Sequence, residues 1–190
     1  IMGRSGAGKS TFLYQMSLLD EPTLGDVVVD GHSTREMSDE EEVLFRLQKF
    51  GYVFQDYALL PDLTALENVV LPLLMQNLDR AAAYARASGA LIRVALGERL
   101  NNLPSQLSGG EQQRVSIARA IAHNPKVLFA DEPTANLDNE SSRAIMDIFT
   151  DLHKAGQTII MVTHEEEYAL RADTIVKFDD GRIVQTKSTK

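Results

Sequence analysis

Apolar and polar positions fall into blocks along the chain, and the blocks change period. Residues 126–130 (KVLFA) and 158–163 (TIIMVT) are apolar almost throughout, the pattern of strands buried on both faces. Residues 51–54 (GYVF) read as a third strand, one that delivers Gln55 at its end. A short β-rich run, 26–30 (DVVVD), is bounded by Gly25 and Gly31, and the stretches 174–178 and 182–184 flank Asp180-Gly181, a hairpin signal. Helical stretches lie between these runs. Residues 10–19 suit a helix that ends at Asp20-Glu21-Pro22. Ser38 with Glu41 forms a capping box that opens a helix to about Lys49. Thr64 with Glu67 forms another, opening a leucine-rich helix that Pro72 is expected to interrupt.

Residues 79–96 are alanine-rich and helical, with Leu91, Val94 and Ala95 on the expected buried face. Helices at 108–123, 140–155 and 165–171 follow, and 187–190 is expected to fray. Strands alternating with helices predict an α/β fold: a mainly parallel sheet flanked by helices, a small antiparallel β element, and ligand at the strands' C-terminal ends. The texture changes between 58 and 105, where strand signals vanish. The chain therefore reads as a discontinuous core (1–57 and 106–190) with an inserted all-helical subdomain (58–105).

Composition narrows the function. The 190 residues carry 19 basic and 27 acidic side chains, a net charge of −8, which argues against gripping nucleic acid through phosphate contacts. With no cysteine there are no disulfides, thiolate zinc sites, iron–sulfur clusters or cysteine nucleophiles. No segment approaches the ~18 uninterrupted apolar residues of a membrane helix, and the opening IMGRSGAGKS has no signal-peptide pattern. These features describe a cytosolic α/β domain.

The chemistry starts at the chain's beginning. Gly3, Arg4, Ser5, Gly6, Ala7, Gly8, Lys9 and Ser10 spell the glycine-rich phosphate loop. Its glycines let backbone N–H groups converge on phosphates, and a helix starting near Lys9 points its positive end at them. Lys9 would bridge the outer phosphates, Ser10 would ligate Mg²⁺ through its hydroxyl, and Thr11 could donate to an inner phosphate. The loop should follow a buried strand, yet only Ile1 and Met2 stand before it, so the N-terminal strand is expected to be missing from this chain.

The strand 126–130 runs into Asp131-Glu132. An apolar strand ending in two carboxylates suits a nucleotidase, with Asp131 holding Mg²⁺ through water and Glu132 polarising the attacking water. The stretch 107–114 (LSGGEQQR) adds a second anion-binding end: Ser108 is a natural N-cap, and Gly109 and Gly110 expose backbone N–H groups ahead of Glu111. A composite site, in which each of two chains presents this end to the other's nucleotide, gives it a use.

With these motifs the chain resembles the ATP-binding subunit of an ABC transporter. LSGGEQQR resembles the family signature and lies shortly before the Asp131-Glu132 strand. Gln55 is similar to the Q-loop glutamine, 135–138 (ANLD) to the D-loop, and Thr163-His164 to the switch histidine. The resemblance implies ATP and Mg²⁺ as ligands, with Ser10, Gln55 and Asp131 at the metal. It implies Glu132, His164 and Gln55 as catalytic groups: Gln55 senses the γ-phosphate, and His164 contacts it and aligns water with Glu132. Nucleotide contacts are implied for Gly3, Ser5, Gly6, Ala7, Gly8, Lys9, Ser10 and Thr11. Across the dimer they are implied for Ser108, Gly109, Gly110, Glu111 and Asp138. The implied partners are a second copy, bound head to tail with ATP, and integral membrane permease subunits; nucleic acid is not among them. The implied location is peripheral, on the cytoplasmic face of the inner membrane. The family's adenine-stacking aromatic lies upstream of the loop, and neither Tyr14 nor Tyr52 fits that position.

The stretch 55–69 (QDYALLPDLTALENV) is similar to one subgroup: lipoprotein-releasing ATPases, macrolide exporters and the cell-division ATPase. The expected function is ATP hydrolysis that drives export or extracytoplasmic mechanical work through a membrane partner. Alternatives are a mechanotransmitting ATPase that moves no substrate, or a soluble ABC ATPase acting on nucleic acid or ribosomes. His32, His123 and His153 fit no motif and are expected to be structural.

Overall fold

The computed structural model describes residues 1–29 and 31–189. In chain order the elements are β1 (Met2–Gly3), α1 (Lys9–Met16), β2 (Val28–Val29), β3 (His32–Ser33), α2 (Asp39–Lys49), β4 (Phe50–Val53), α3 (Ala65–Met75) and α4 (Arg80–Arg93). They continue with α5 (Gly109–Ile121), β5 (Val127–Asp131), α6 (Asn139–Lys154), β6 (Thr158–Val162), α7 (Glu166–Ala169), β7 (Thr174–Asp179) and β8 (Arg182–Ser188). The chain forms two compact units, Ile1–Arg46 with Ile160–Lys190, and Leu47–Ile159.

In the first unit β1 pairs in parallel with β7, Met2 opposite Lys177 and Gly3 opposite Phe178, and β7 pairs antiparallel with β8. A two-residue strand thus stands ahead of the phosphate loop. Met2, Ala169 and Ile175 form a small apolar cluster beside it, and the Phe12 ring of α1 lies 4.9 Å from that of Phe178. The 26–30 run contributes only Val28–Val29, paired antiparallel with β3, which the hydrophobic pattern did not signal; Asp30 lies outside the described residues. The expected frayed tail is corrected. Lys187 and Ser188 belong to β8, opposite Ile175 and Thr174, because backbone pairing along the hairpin needs no apolar side chain on the outer strand. Lys190 lies outside the described residues.

In the second unit β4 and β5 run parallel, in register from Phe50 opposite Val127 to Val53 opposite Ala130. A Cβ added at Gly51 would lie 2.3 Å from the Ala120 carbonyl oxygen, so α5 rests directly on the backbone of β4. Phe129 is buried between aromatic neighbours, its ring edge-on to Phe50 at 5.0 Å and stacked with Tyr52 at 6.3 Å. Helices α3 and α4 pack on each other and on α5, burying Val69, Leu73, Leu91 and Ile117 completely. Each such side chain contributes about 1.5–3 kcal/mol on leaving water.

Two expectations change here. α3 runs through Pro72 without interruption, and Gln76 N–H donates to the Pro72 carbonyl. Burial of Ala65, Val69, Val70 and Leu73 along the helix outweighs the one backbone hydrogen bond that proline removes. α4 ends at Arg93, and Ala95 is exposed instead of joining Leu91 and Val94, because the chain reverses there at a left-handed φ of 60°.

Candidate nucleotide site

Strand β1 delivers the loop at Gly3. The Ala7 N–H donates to the Arg4 carbonyl at 3.2 Å, closing a turn, and Gly8 becomes the N-cap of α1 at φ 89°, which other residues adopt only with strain. Gly8 makes no side-chain cap hydrogen bond, and a helix N-terminus is an end that suits phosphate. Lys9 is only 6% exposed and its Nζ donates to the Arg4 carbonyl at 3.0 Å, curling the ammonium over the loop. The Gly181 N–H, in the β7–β8 turn, donates to the Ala7 carbonyl at 2.9 Å and supports the loop from outside. Ser10 and Thr11 stand in the first turn of α1. His164 also belongs to this unit, exposed just past β6. Before it, Thr163 is buried, its N–H donates to the Ile1 carbonyl, and its hydroxyl accepts from the Glu165 N–H at 3.1 Å.

The second unit holds Gln55, 108–111, Asp131, Glu132 and Asp138. Asp131 is buried at the end of β5; Glu132 follows half-buried, at a left-handed φ of 42°. Such backbone strain in a non-glycine residue persists only where its surroundings enforce it. Ser108 caps α5 in a full capping box: the Glu111 N–H donates to its Oγ, and its own N–H donates to Glu111 Oε2 at 2.9 Å. The Ser108 N–H holds the Glu111 carboxyl below the usual range, helped by Arg99 Nε at 3.1 Å. Asp138 caps α6, accepting the Glu140 and Ser141 N–H groups and the Ser141 hydroxyl, which also depresses its carboxyl. Ser141 joins this cap to α5, since a Cβ at Gly110 would lie 2.9 Å from Ser141 Oγ.

Three side chains to which the motif reading gave no role of their own organise this unit. Gln113 Nε2 donates to the Phe54 carbonyl at 3.2 Å and the Pro133 carbonyl at 2.7 Å. Asn136 Nδ2 donates to the Gln55 carbonyl at 3.1 Å. Arg119, its guanidinium pKa pushed down by burial, donates to the Tyr57 and Ala58 carbonyls at 2.9 and 2.5 Å. These clamps sit where Tyr57 and Ala58 take left-handed φ values of 65° and 47°. One of the three had a sequence signal: Gln113 is a polar residue one turn before Ile117, on the apolar stripe of α5. For Asn136, inside the 135–138 stretch, and for Arg119 nothing pointed to these contacts, because their partners are backbone atoms distant in sequence. His123 is structural as expected, its Nε2–H donating to the Phe50 carbonyl at 3.0 Å.

A glycine-rich loop opening a helix, an apolar strand ending in Asp-Glu and a second capped Ser-Gly-Gly helix define a nucleotide-hydrolysing cassette. The sequence pattern of the ABC transporter family matches residues 1–135. The chain belongs to that family as an ATP-binding subunit, an ATPase, in the subgroup that includes LolD and MacB. It is 52% identical over 97% of its length to an uncharacterized ABC transporter ATP-binding protein of Methanocaldococcus jannaschii, covering 83% of it. It is 46% identical to the lipoprotein-releasing system ATP-binding protein LolD of Aquifex aeolicus, with 97% of the chain and 82% of LolD covered. To the macrolide export ATP-binding/permease protein MacB of Agrobacterium fabrum it is 44% identical, over 97% of the chain but 28% of that longer protein. The fold matches a dimeric structure of a post-hydrolysis state of the ATP-binding cassette MJ0796 bound to ADP and Pi. The TM-score is 0.90 at 40% identity, over 100% of this chain and 84% of that one.

Proposed function

We propose that this ATPase drives export, or mechanical work on extracytoplasmic domains, through integral membrane permease subunits, by closing head to tail with a second copy when ATP binds. The observation that carries this reading is the second capped helix end. Ser108 caps the Gly109–Gly110 start of α5, a second helix N-terminus besides the one that opens α1, and one nucleotide does not need two such ends from one chain. In a pair, each 108–110 segment, with Glu111 and Asp138 nearby, caps the γ-phosphate held by the other copy's loop from Gly3 to Thr11. Hydrolysis removes the bridging charge, and the pair separates.

Within one site Lys9 bridges the outer phosphates, and Gly3, Ser5, Gly6, Ala7 and Gly8 shape the backbone cradle. Glu132 accepts a proton from the attacking water, and His164 holds that water and the γ-phosphate in line. Ser10, Gln55 and Asp131 are the residues that would hold Mg²⁺, which supplies charge neutralisation at the phosphates. A hydroxyl, an amide and a carboxylate suit a hard cation that keeps phosphate oxygens among its ligands. Gln55 relays the nucleotide state to the helical subdomain (58–105), set within a core of 1–57 and 106–190, which receives the membrane partner. Attachment in this reading is peripheral, at the cytoplasmic face, through the permease subunits; no helix among the described residues is long and apolar enough to cross a membrane.

The test is Glu132→Gln. The variant binds ATP, hydrolyses it at least ~100-fold more slowly and accumulates as an ATP-bound dimer in light scattering, whereas Lys9→Ala weakens nucleotide binding itself. A strictly monomeric Glu132→Gln protein in Mg-ATP would sink the head-to-tail reading.

A further inference from the structure

The amide of Gln113 has a place in the fold that the activity described above does not account for. It is 0% exposed, on the side of α5 that also buries Ile117. Both of its hydrogen-bonding contacts go to backbone carbonyls, Phe54 at 3.2 Å and Pro133 at 2.7 Å. Carbonyl oxygens only accept, so the NH₂ group must face them. The amide oxygen, Oε1, is buried without a hydrogen-bond partner. For stability alone this is a poor use of a core position, because an unpaired buried acceptor is costly and an apolar side chain of the same size carries no such group.

What the amide touches explains its use. Phe54 is the residue before Gln55, and Pro133 is the residue after Glu132. One planar group therefore bridges the two backbone segments that present these side chains, and it belongs to the helix that Ser108 opens. Pro133 has no N–H and a restricted φ, so its carbonyl is a direct handle on the strained turn at Glu132, φ 42°. On the other segment, the carbonyls of Gln55, Tyr57 and Ala58 are held by Asn136 and Arg119. The carbonyl ahead of Gln55 is Gln113's.

We propose that Gln113 is a positioning residue for ATP hydrolysis: its amide sets the placement of Gln55 against Glu132 and ties both to the Ser108 end of α5. This rests on the roles proposed above for Gln55 and Glu132. Misplacing a catalytic group by about 1 Å can cost on the order of 100-fold in rate, while the phosphate-loop contacts that hold ATP lie in the other unit.

Two variants test it, with Glu132→Gln assayed beside them. Gln113→Met keeps the volume and removes both donors. Its expected kcat is lower by about tenfold or more, with KM for ATP within about twofold of wild type. Gln113→Glu keeps the shape but, as a carboxylate, sets negative charge against two carbonyl oxygens; once protonated it regains one donor. Burial favours the protonated form, so its kcat relative to wild type should rise as pH falls from about 8 to about 6. A purely structural amide would alter the melting temperature without this split between kcat and KM or this pH profile. The proposal is overturned if Gln113→Met is folded by circular dichroism and keeps kcat within about twofold, or if the Gln113→Glu ratio is flat with pH. Should Gln113→Met fail to fold, the Gln113→Glu profile decides alone. If Glu132→Gln turns over at the wild-type rate, the underlying site reading falls with the proposal. If Glu132→Gln is slow and Gln113→Met is not, only the positioning role falls.

Discussion

In the first unit the phosphate loop takes its shape from backbone conformation: a short β1, a left-handed Gly8 and a lysine curled back on the Arg4 carbonyl. In the second unit Gln55, Glu132 and Ser108 sit on a packed frame, held by side chains of α5 and by Asn136. The burial pattern follows the same division. Among the largest fully buried side chains of the described residues, Leu13 alone lies in the first unit. The contrast suits the two tasks. On the proposed roles, a loop that admits and releases phosphate works through its backbone, whereas groups that meet a reacting water need neighbours that do not yield.

The largest test of this contrast is Phe129→Ala. Removing a ring packed between Phe50 and Tyr52 should cost about 3–5 kcal/mol in urea unfolding; a loss near zero would mean that the β5 frame is not what holds Glu132. Gly8→Ala probes the other mode. The added Cβ lies 3.6 Å from Gly181 Cα, an ordinary contact, so only the left-handed backbone is penalised, by about 1–2 kcal/mol. ATP affinity, followed by fluorescent-nucleotide titration, should fall with it, and unchanged binding would show that the loop is not set by its backbone. Ser108→Ala removes a cap from a helix already anchored by packing, a loss of about 1 kcal/mol, while Ser108→Asp should keep the cap.

His123 gives the smallest effect. Its Nε2–H serves the Phe50 carbonyl, its Nδ1 is buried without a hydrogen-bond partner, and burial lowers its pKa from the usual 6.5. Protonation therefore occurs first in the unfolded chain. The stability tied to neutral His123 is complete above 6.5 and is lost as pH falls through the lowered value. Urea unfolding at about pH 7.5 and about pH 5.5 should show this loss in the wild type and less of it in His123→Asn. Equal slopes would remove the histidine from the acid response.

Local chemistry was legible residue by residue. The capping box at Thr64 and the N-cap at Ser108 form as read, because cap and partner are three residues apart and need nothing else. Pro72 was misjudged for the opposite reason: whether a helix survives a proline depends on the apolar contacts that bury its other residues. β3 was invisible, since His32 and Ser33 pair through backbone alone.

The sequence by itself determined that this protein is an ATPase of the ABC transporter family, since the motifs that mark it are particular side chains at short, fixed spacings. Tertiary structure alone decided how those groups are held. Gln113, Asn136 and Arg119 act on carbonyls 59, 81 and 62 residues away. Carbonyls look alike in every residue, so the partner of a backbone-directed side chain is chosen only when the chain folds.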